Sequence, residues 1–256
     1  MQFTSERRLD DGVLERDFIL AGIPGTLWTP ASVSTSAPAP LILLGHPGGL
    51  RRMYPRLAAR ARRSAPEGFA TATIELFGSG DRPRPAAAEQ ARADLHRALE
   101  AGEPVSEEII DALVLPLVDK AVPEWQTALD ALLALPEIGG PVGYSGGVIS
   151  IGTRLAVVEP RISAAVLFAG SFVPRAIFEE ARQVTIPLHV LLQWDDESND
   201  RQAALDLFDA FGSKDKTLHA NMGGHTGVPQ YAGDAAAQFF TRHLTLGPDK
   251  PAAEGS

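Results

Sequence analysis

A mostly parallel, twisted β-sheet covered by helices on both faces is the α/β fold that the sequence predicts, and three observations carry it. From about residue 40 onward, apolar runs of strand length alternate with helical patterns. Leu41 to Leu44 is continuously apolar, as a strand buried on both faces must be. Finally, 256 residues at 45% hydrophobic content can build one sizeable core, and no linker or internal repeat divides it. One domain over residues 1–256 is therefore expected.

The elements follow in order. Arg16 to Leu20 and Thr26 to Thr29 flank Gly22-Ile23-Pro24-Gly25, which reads as an antiparallel hairpin on the sheet edge. Residues 1–15 and 247–256 read as tails that can fray. After a Ser/Pro/Ala loop over Ser32 to Pro40 comes the strand Leu41 to Leu44, and then a helix over Tyr54 to Arg63. Ala70 to Leu76 carries β-branched Thr71, Thr73 and Ile74 and ends in a glycine turn at Phe77 to Gly80. A helical excursion between about 82 and 138, interrupted at Gly102 to Pro104 and at Pro123, is too long for one crossover helix. It is expected over the carboxyl end of the sheet, where α/β proteins bind ligands. Val142 to Tyr144, Ala164 to Ala169, Leu188 to Trp194 and Thr217 to Ala220 read as strands. Gly146 to Val158, Ala203 to Phe211 and Asp234 to His243 read as helices.

Composition excludes several functions. The chain has no cysteine, which removes disulfides, thiolate metal sites and cysteine nucleophiles. A net charge of -9 argues against nucleic acid and anionic membranes as partners. The basic runs at Arg51-Arg52 and Arg60 to Arg63 read as solvated helix faces. Met1 to Asp10 is polar and the apolar runs are strand-length, so the expectation is a cytoplasmic protein with no membrane span.

One constellation carries chemistry. Gly143-Tyr144-Ser145-Gly146-Gly147 is a G-x-S-x-G sequence between a short strand and a helix. A sharp strand-to-helix turn strains its central residue and tolerates only small neighbours. It would push the Ser145 oxygen out at a helix N-terminus, which favours negative charge. Alone the pattern is weak, because chance yields it about 0.1 times in a chain of this size. A serine also needs a base to take its proton. Of the six histidines, His225 follows Met222-Gly223-Gly224 just beyond the last strand. His189 and His219 fall within strands and read as packing residues, whereas His96 and His243 sit on helices as surface histidines. The acid to orient the base should end the preceding strand, where Asp195-Asp196-Glu197 stands. Gly45-His46-Pro47-Gly48-Gly49 supplies a glycine loop whose N–H groups can turn toward a tetrahedral oxygen, with the Gly146 N–H as second donor. His46 reads as structural.

These four elements, in this order, resemble the α/β-hydrolase superfamily, and within it the dienelactone-hydrolase-like group of small serine esterases. The resemblance covers nearly all of residues 16 to 245. Leu43 to Gly49 is similar to the family's oxyanion-loop segment, with Pro47 in place of its first glycine, and Phe77 to Arg82 to its following turn. The resemblance implies an α/β-hydrolase fold with a catalytic triad: Ser145 as nucleophile on the elbow, Asp196 as acid and His225 as base. It implies Gly48 and Gly146 as the oxyanion hole. Asp196 is selected over Asp195 by its spacing from the position that Gln193 fills. Dienelactone hydrolases use a cysteine nucleophile, which this chain lacks, so a serine esterase acting on a small-molecule ester is implied. No cofactor and no metal are called for, and a monomer or homodimer is expected. Thioesterase, lactonase and perhydrolase chemistry share the triad and stay open, as does a non-catalytic ligand-binding role. Ser150, in Val148-Ile149-Ser150-Ile151-Gly152, is a rival nucleophile.

Overall fold

The computed structural model describes residues 1–245 except Ser171, Ser198 and Gly227. Among the described residues, nine strands form one sheet in the spatial order β1-β2-β3-β5-β4-β6-β7-β8-β9. The first three, β1 (Gln2–Arg8), β2 (Leu14–Leu20) and β3 (Ile23–Thr29), are antiparallel, and β3 joins β5 (Ala70–Ile74) antiparallel. From β5 onward pairing is parallel through β4 (Ala39–Gly45), β6 (Ile138–Gly146), β7 (Ile162–Phe168), β8 (Leu188–Gln193) and β9 (Lys216–Asn221). The expected hairpin is present. The start of the chain differs from the expectation of a tail: Gln2 to Arg8 pair with β2 and extend the sheet by a strand. Every residue of that strand is exposed, so hydrophobic patterning could not reveal it. The expected tail 247–256 lies outside the described residues.

The β2–β3 turn is two residues long, with Leu20 opposite Ile23 and positive φ at both Ala21 (50°) and Gly22 (81°). This is the type I′ pattern, which suits the strand twist but penalises a Cβ at the first position. Replacing exposed Ala21 with Asn, the residue this turn prefers, is expected to stabilise the fold by about 1 kcal/mol, or ~2–4 °C in melting temperature. A melting curve unchanged or lowered would show that the turn stores no such strain.

Helices cover both faces. α1 (Leu50–Ser64) and α7 (Gln230–Leu244) pack on one side, around Leu57, Phe239 and Phe240. On the other side lie α2 (Ala86–Ala101), α3 (Glu107–Leu133), α4 (Ile149–Val158), α5 (Arg175–Ala181) and α6 (Arg201–Ala210). Of these, α3 to α6 carry buried residues into the larger core. The excursion between 82 and 138 is thus a helical hairpin. Its long arm, α3, runs straight through Pro116 and Pro123. An internal proline costs about 3 kcal/mol in helix propensity, yet Val118, Ala121, Val122 and Trp125 on either side of Pro123 are all buried. Burial of such side chains is worth about 1.5–3 kcal/mol each, so packing outweighs the break expected there. A 27-residue helix is about 40 Å long, against about 23–31 Å for strands of seven to nine residues. The N-terminal part of α3 consequently overhangs the carboxyl edge of the sheet.

That edge is where a site belongs. β4 lies between β5 and β6, and the chain leaves it toward one side and returns on the other. The loops after β4 and β6 therefore separate and open a crevice at the switch point.

Candidate active site

Asp196 and His225 come together at this edge. β8 ends at Gln193, and the next residues stay tied to the histidine loop: Trp194 N–H donates to Asn221 O (2.8 Å) and Asp195 N–H to Gly223 O (3.2 Å). Asp195 points to solvent, whereas Asp196 is buried, and its Oδ2 lies 2.7 Å from His225 Nδ1. The geometry thus singles out Asp196 between the two aspartates. Asn199 Nδ2 donates to the same Oδ2 at 2.5 Å. With Nδ1 held by a carboxylate, the imidazole is fixed in orientation and turns Nε2 away from it. The His225 side chain remains 57% exposed and packs edge-on against Phe168 at the end of β7.

Sequence reasoning missed one support of this pair. Gln193 is buried, and its Nε2 donates to Gly224 O (3.0 Å), the carbonyl just before His225. A buried amide at a strand end, next to an acidic run, was the available signal.

Ser145 is placed differently from the elbow pattern. β6 reaches Gly146, two residues further than expected, so Ser145 is a strand residue opposite Leu44 of β4 and Val166 of β7. Its backbone is unstrained: among the described residues Ala21 alone combines a Cβ with positive φ. The left-handed conformations fall instead on Gly146 (78°) and Gly147 (76°). The reason is steric. Two consecutive glycines take the turn without a Cβ penalty, and a Cβ on Gly147 would sit 2.9 Å from Gly45 Cα. The serine before them can then stay extended.

Strand alternation sends Tyr144 toward α3, where it meets Trp125 edge-on, and Ser145 toward α1. There its Oγ accepts a hydrogen bond from Arg60 Nη2 (2.7 Å). The described hydrogen bonds of Ser145 and His225 do not join the two. Arg60, read from the sequence as part of a solvated face, is turned inward, and its Nη1 and Nη2 also donate to Gly45 O (3.2 Å) and Ser145 O (2.6 Å). The rival Ser150 lies inside α4, fully buried, where no substrate reaches it.

The glycine loop after β4 is internally bonded. His46 Nε2 lies 2.9 Å from Ile74 O, and Gly48 N–H donates to His46 Nδ1 (3.1 Å). This pairing requires a neutral ring with its proton on Nε2, and burial pushes the His46 pKa down accordingly. Gly49 and Leu50 N–H groups are taken by Glu75. Burial alone would raise the Glu75 carboxyl, but hydrogen bonds from Ser79 and from the Leu50 and Leu76 N–H groups outweigh it and hold the pKa low. The Gly48 amide, expected as a free donor, is thus engaged, while Gly146 lies at the strand end beside Gly45. A cavity of about 360 Å³ lies further along this edge, between α3, α5 and α6, lined by Ile110, Asp111, Val173, Arg175 and Phe178 among others. Ser145, Asp196 and His225 do not line it. No group of metal-ligating side chains is found among the described residues, nor a helix long and apolar enough to cross a membrane.

No protein-family model and no curated protein sequence matches the chain. Solved structures do. A cold-adapted esterase from an Arctic intertidal metagenomic library, in its PEG-bound form, is 27% identical with a TM-score of 0.73, over 96% of this chain and 100% of that one. The esterase Pf2001 of Pyrococcus furiosus is 10% identical with a TM-score of 0.63, over 94% and 93% of the two chains. Acetyl xylan esterase 1 from Thermoanaerobacterium sp. JW/SL YS485 is 12% identical with a TM-score of 0.60, over 94% and 87%. Sheet order and near-complete overlap with these structures give the chain the α/β-hydrolase fold.

Proposed function

We propose that the chain hydrolyses carboxylic esters of small organic molecules by a serine mechanism. The observation that carries this reading is the 2.7 Å bond between buried Asp196 and exposed His225 at the carboxyl edge of the sheet. Esterase activity in the names of the overlapping structures supports the substrate class.

In this mechanism His225 Nε2 takes the Ser145 proton as Oγ bonds to the ester carbon. The carbonyl electron pair moves onto oxygen, which faces the Gly48 and Gly146 amides. Collapse expels the alcohol, which leaves with the proton from His225. Water then repeats the sequence on the acyl-enzyme and releases the acid. Asp196 holds the imidazole tautomer and stabilises the imidazolium. The mechanism requires the hydroxyl to meet Nε2 and the Gly48 N–H to leave His46; catalytic hydrogen bonds commonly tighten only when substrate binds.

A second reading is favoured by the Arg60 bond to Ser145 Oγ and by the low exposure of that residue (7%). In it the Asp196–His225 pair activates water directly, without an acyl-enzyme. A fluorophosphonate probe with mass-spectrometric mapping separates the two. Label on Ser145, lost in Ser145→Ala, supports the serine mechanism. Ester turnover by unlabelled protein, undiminished in Ser145→Ala, establishes the second reading.

A further inference from the structure

Among the described residues Arg60 is a cation without a counter-ion. Among the described residues no carboxylate oxygen lies within 4.0 Å of its guanidinium, although thirteen other ion pairs of arginine with a carboxylate are present. Its three hydrogen bonds go to Gly45 O, Ser145 O and Ser145 Oγ, at the carboxyl ends of the two strands that border the crevice. Space has been left for it: a Cβ on Gly146 would lie 3.0 and 3.1 Å from its terminal nitrogens.

Carbonyl acceptors alone do not call for a full charge. A neutral amide would bridge two strand ends, and burying an unpaired cation is costly. A nearby cation gains most when an anion forms beside it, and an alkoxide on Ser145 would form 2.7 Å away. We propose that Arg60 is a positioning residue of the active site: its guanidinium fixes both backbone and hydroxyl of Ser145 and stabilises the charge on Oγ as the proton leaves. The proposal rests on Ser145 being the nucleophile. A donor on Oγ lowers the hydroxyl pKa, and nucleophilicity falls more slowly than basicity, so the attacking fraction rises more than its intrinsic reactivity declines. Burial pushes the Arg60 pKa down to about 10, so the group is still charged at neutral pH.

The test compares wild type, Arg60→Ala, Arg60→Lys and Arg60→Gln by the rate of fluorophosphonate labelling at Ser145 and by kcat and KM on a soluble ester. Circular dichroism establishes which variants fold. Arg60→Ala should label and turn over roughly 100-fold more slowly with KM nearly unchanged, the loss expected for one preorganised donor. Millimolar guanidinium should restore much of the rate, and methylammonium much less, because only the planar fork reaches all three acceptors. Arg60→Lys should fall between wild type and Arg60→Ala. If Arg60→Ala does not fold, Arg60→Gln, which keeps donors without charge, decides the matter. Labelling of a folded, uncharged variant at the wild-type rate overturns the role of Arg60 while leaving Ser145 as nucleophile. Wild-type protein that takes no label at Ser145 overturns the serine reading itself, and the Arg60 role with it.

Discussion

Asp196→Asn is expected to lower kcat/KM for a small ester by about 10⁴-fold with little change in stability. Asp196 is buried, and its Oδ2 receives both His225 Nδ1 and Asn199 Nδ2. An asparagine fits the same space, but it presents an amide N–H or an uncharged oxygen to the imidazole. The ring then either turns its other tautomer toward the nucleophile or loses the anion that stabilises its protonated form. Either change costs about 5–6 kcal/mol of transition-state stabilisation. Asp195→Asn, one residue earlier and exposed, should change kcat/KM by less than about threefold, since it bears no hydrogen bond to the base. Equal losses in the two variants would remove Asp196 from its role, whichever group attacks the ester.

Acidification is expected to cost about 3 kcal/mol of stability through His189. Burial, assisted by the neighbouring charge of His219, lowers its pKa to about 4. The ring is packed between Phe239 and His219, with Nδ1 bonded to Thr217 Oγ1. The folded-state pKa lies below the unfolded value near 6.5. Between these limits the unfolded chain binds a proton that the folded chain refuses, so stability falls as pH drops from about 6.5 to about 4 and no further on this account. Urea denaturation of wild type and His189→Gln at pH 7 and pH 4 measures the difference. The variant should lose about 2–3 kcal/mol less than wild type over that interval. An identical loss in both proteins would place the acid sensitivity elsewhere, for instance in buried His46, whose pKa is also lowered by burial.

The sequence revealed those parts of the molecule whose chemistry is local. Apolar runs marked β4, β7 and β8 because both faces of those strands are buried, and the glycine loop with an acidic strand end marked Asp196 and His225. Other features escaped because local sequence does not decide them. β1 is exposed throughout and is held by strand pairing and polar side-chain contacts, such as Ser5 with Asp17 and Arg7 with Glu15, rather than by burial. His243, read as a surface histidine, packs on Phe239 at 4.6 Å, a contact decided by how α7 docks. The elbow was misplaced by two residues because Gly146 and Gly147 can absorb the turn, so the pattern G-x-S-x-G fixes which residues are small but not which one bends. Arg60 was hidden for a related reason: a run of four basic and small residues looks amphipathic whichever member turns inward.

The length of α3 divides labour along one rod. Its later turns, from Val118 to Leu132, are locked into the core. Its opening turn, with Ile110 and Asp111, borders the cavity and carries no comparable share of that packing. Substitutions there can reshape that cavity at little cost to folding. Change at that end of the helix is therefore something the sheet scarcely feels, and mutational tolerance along the helix should rise from its carboxyl end to its amino end.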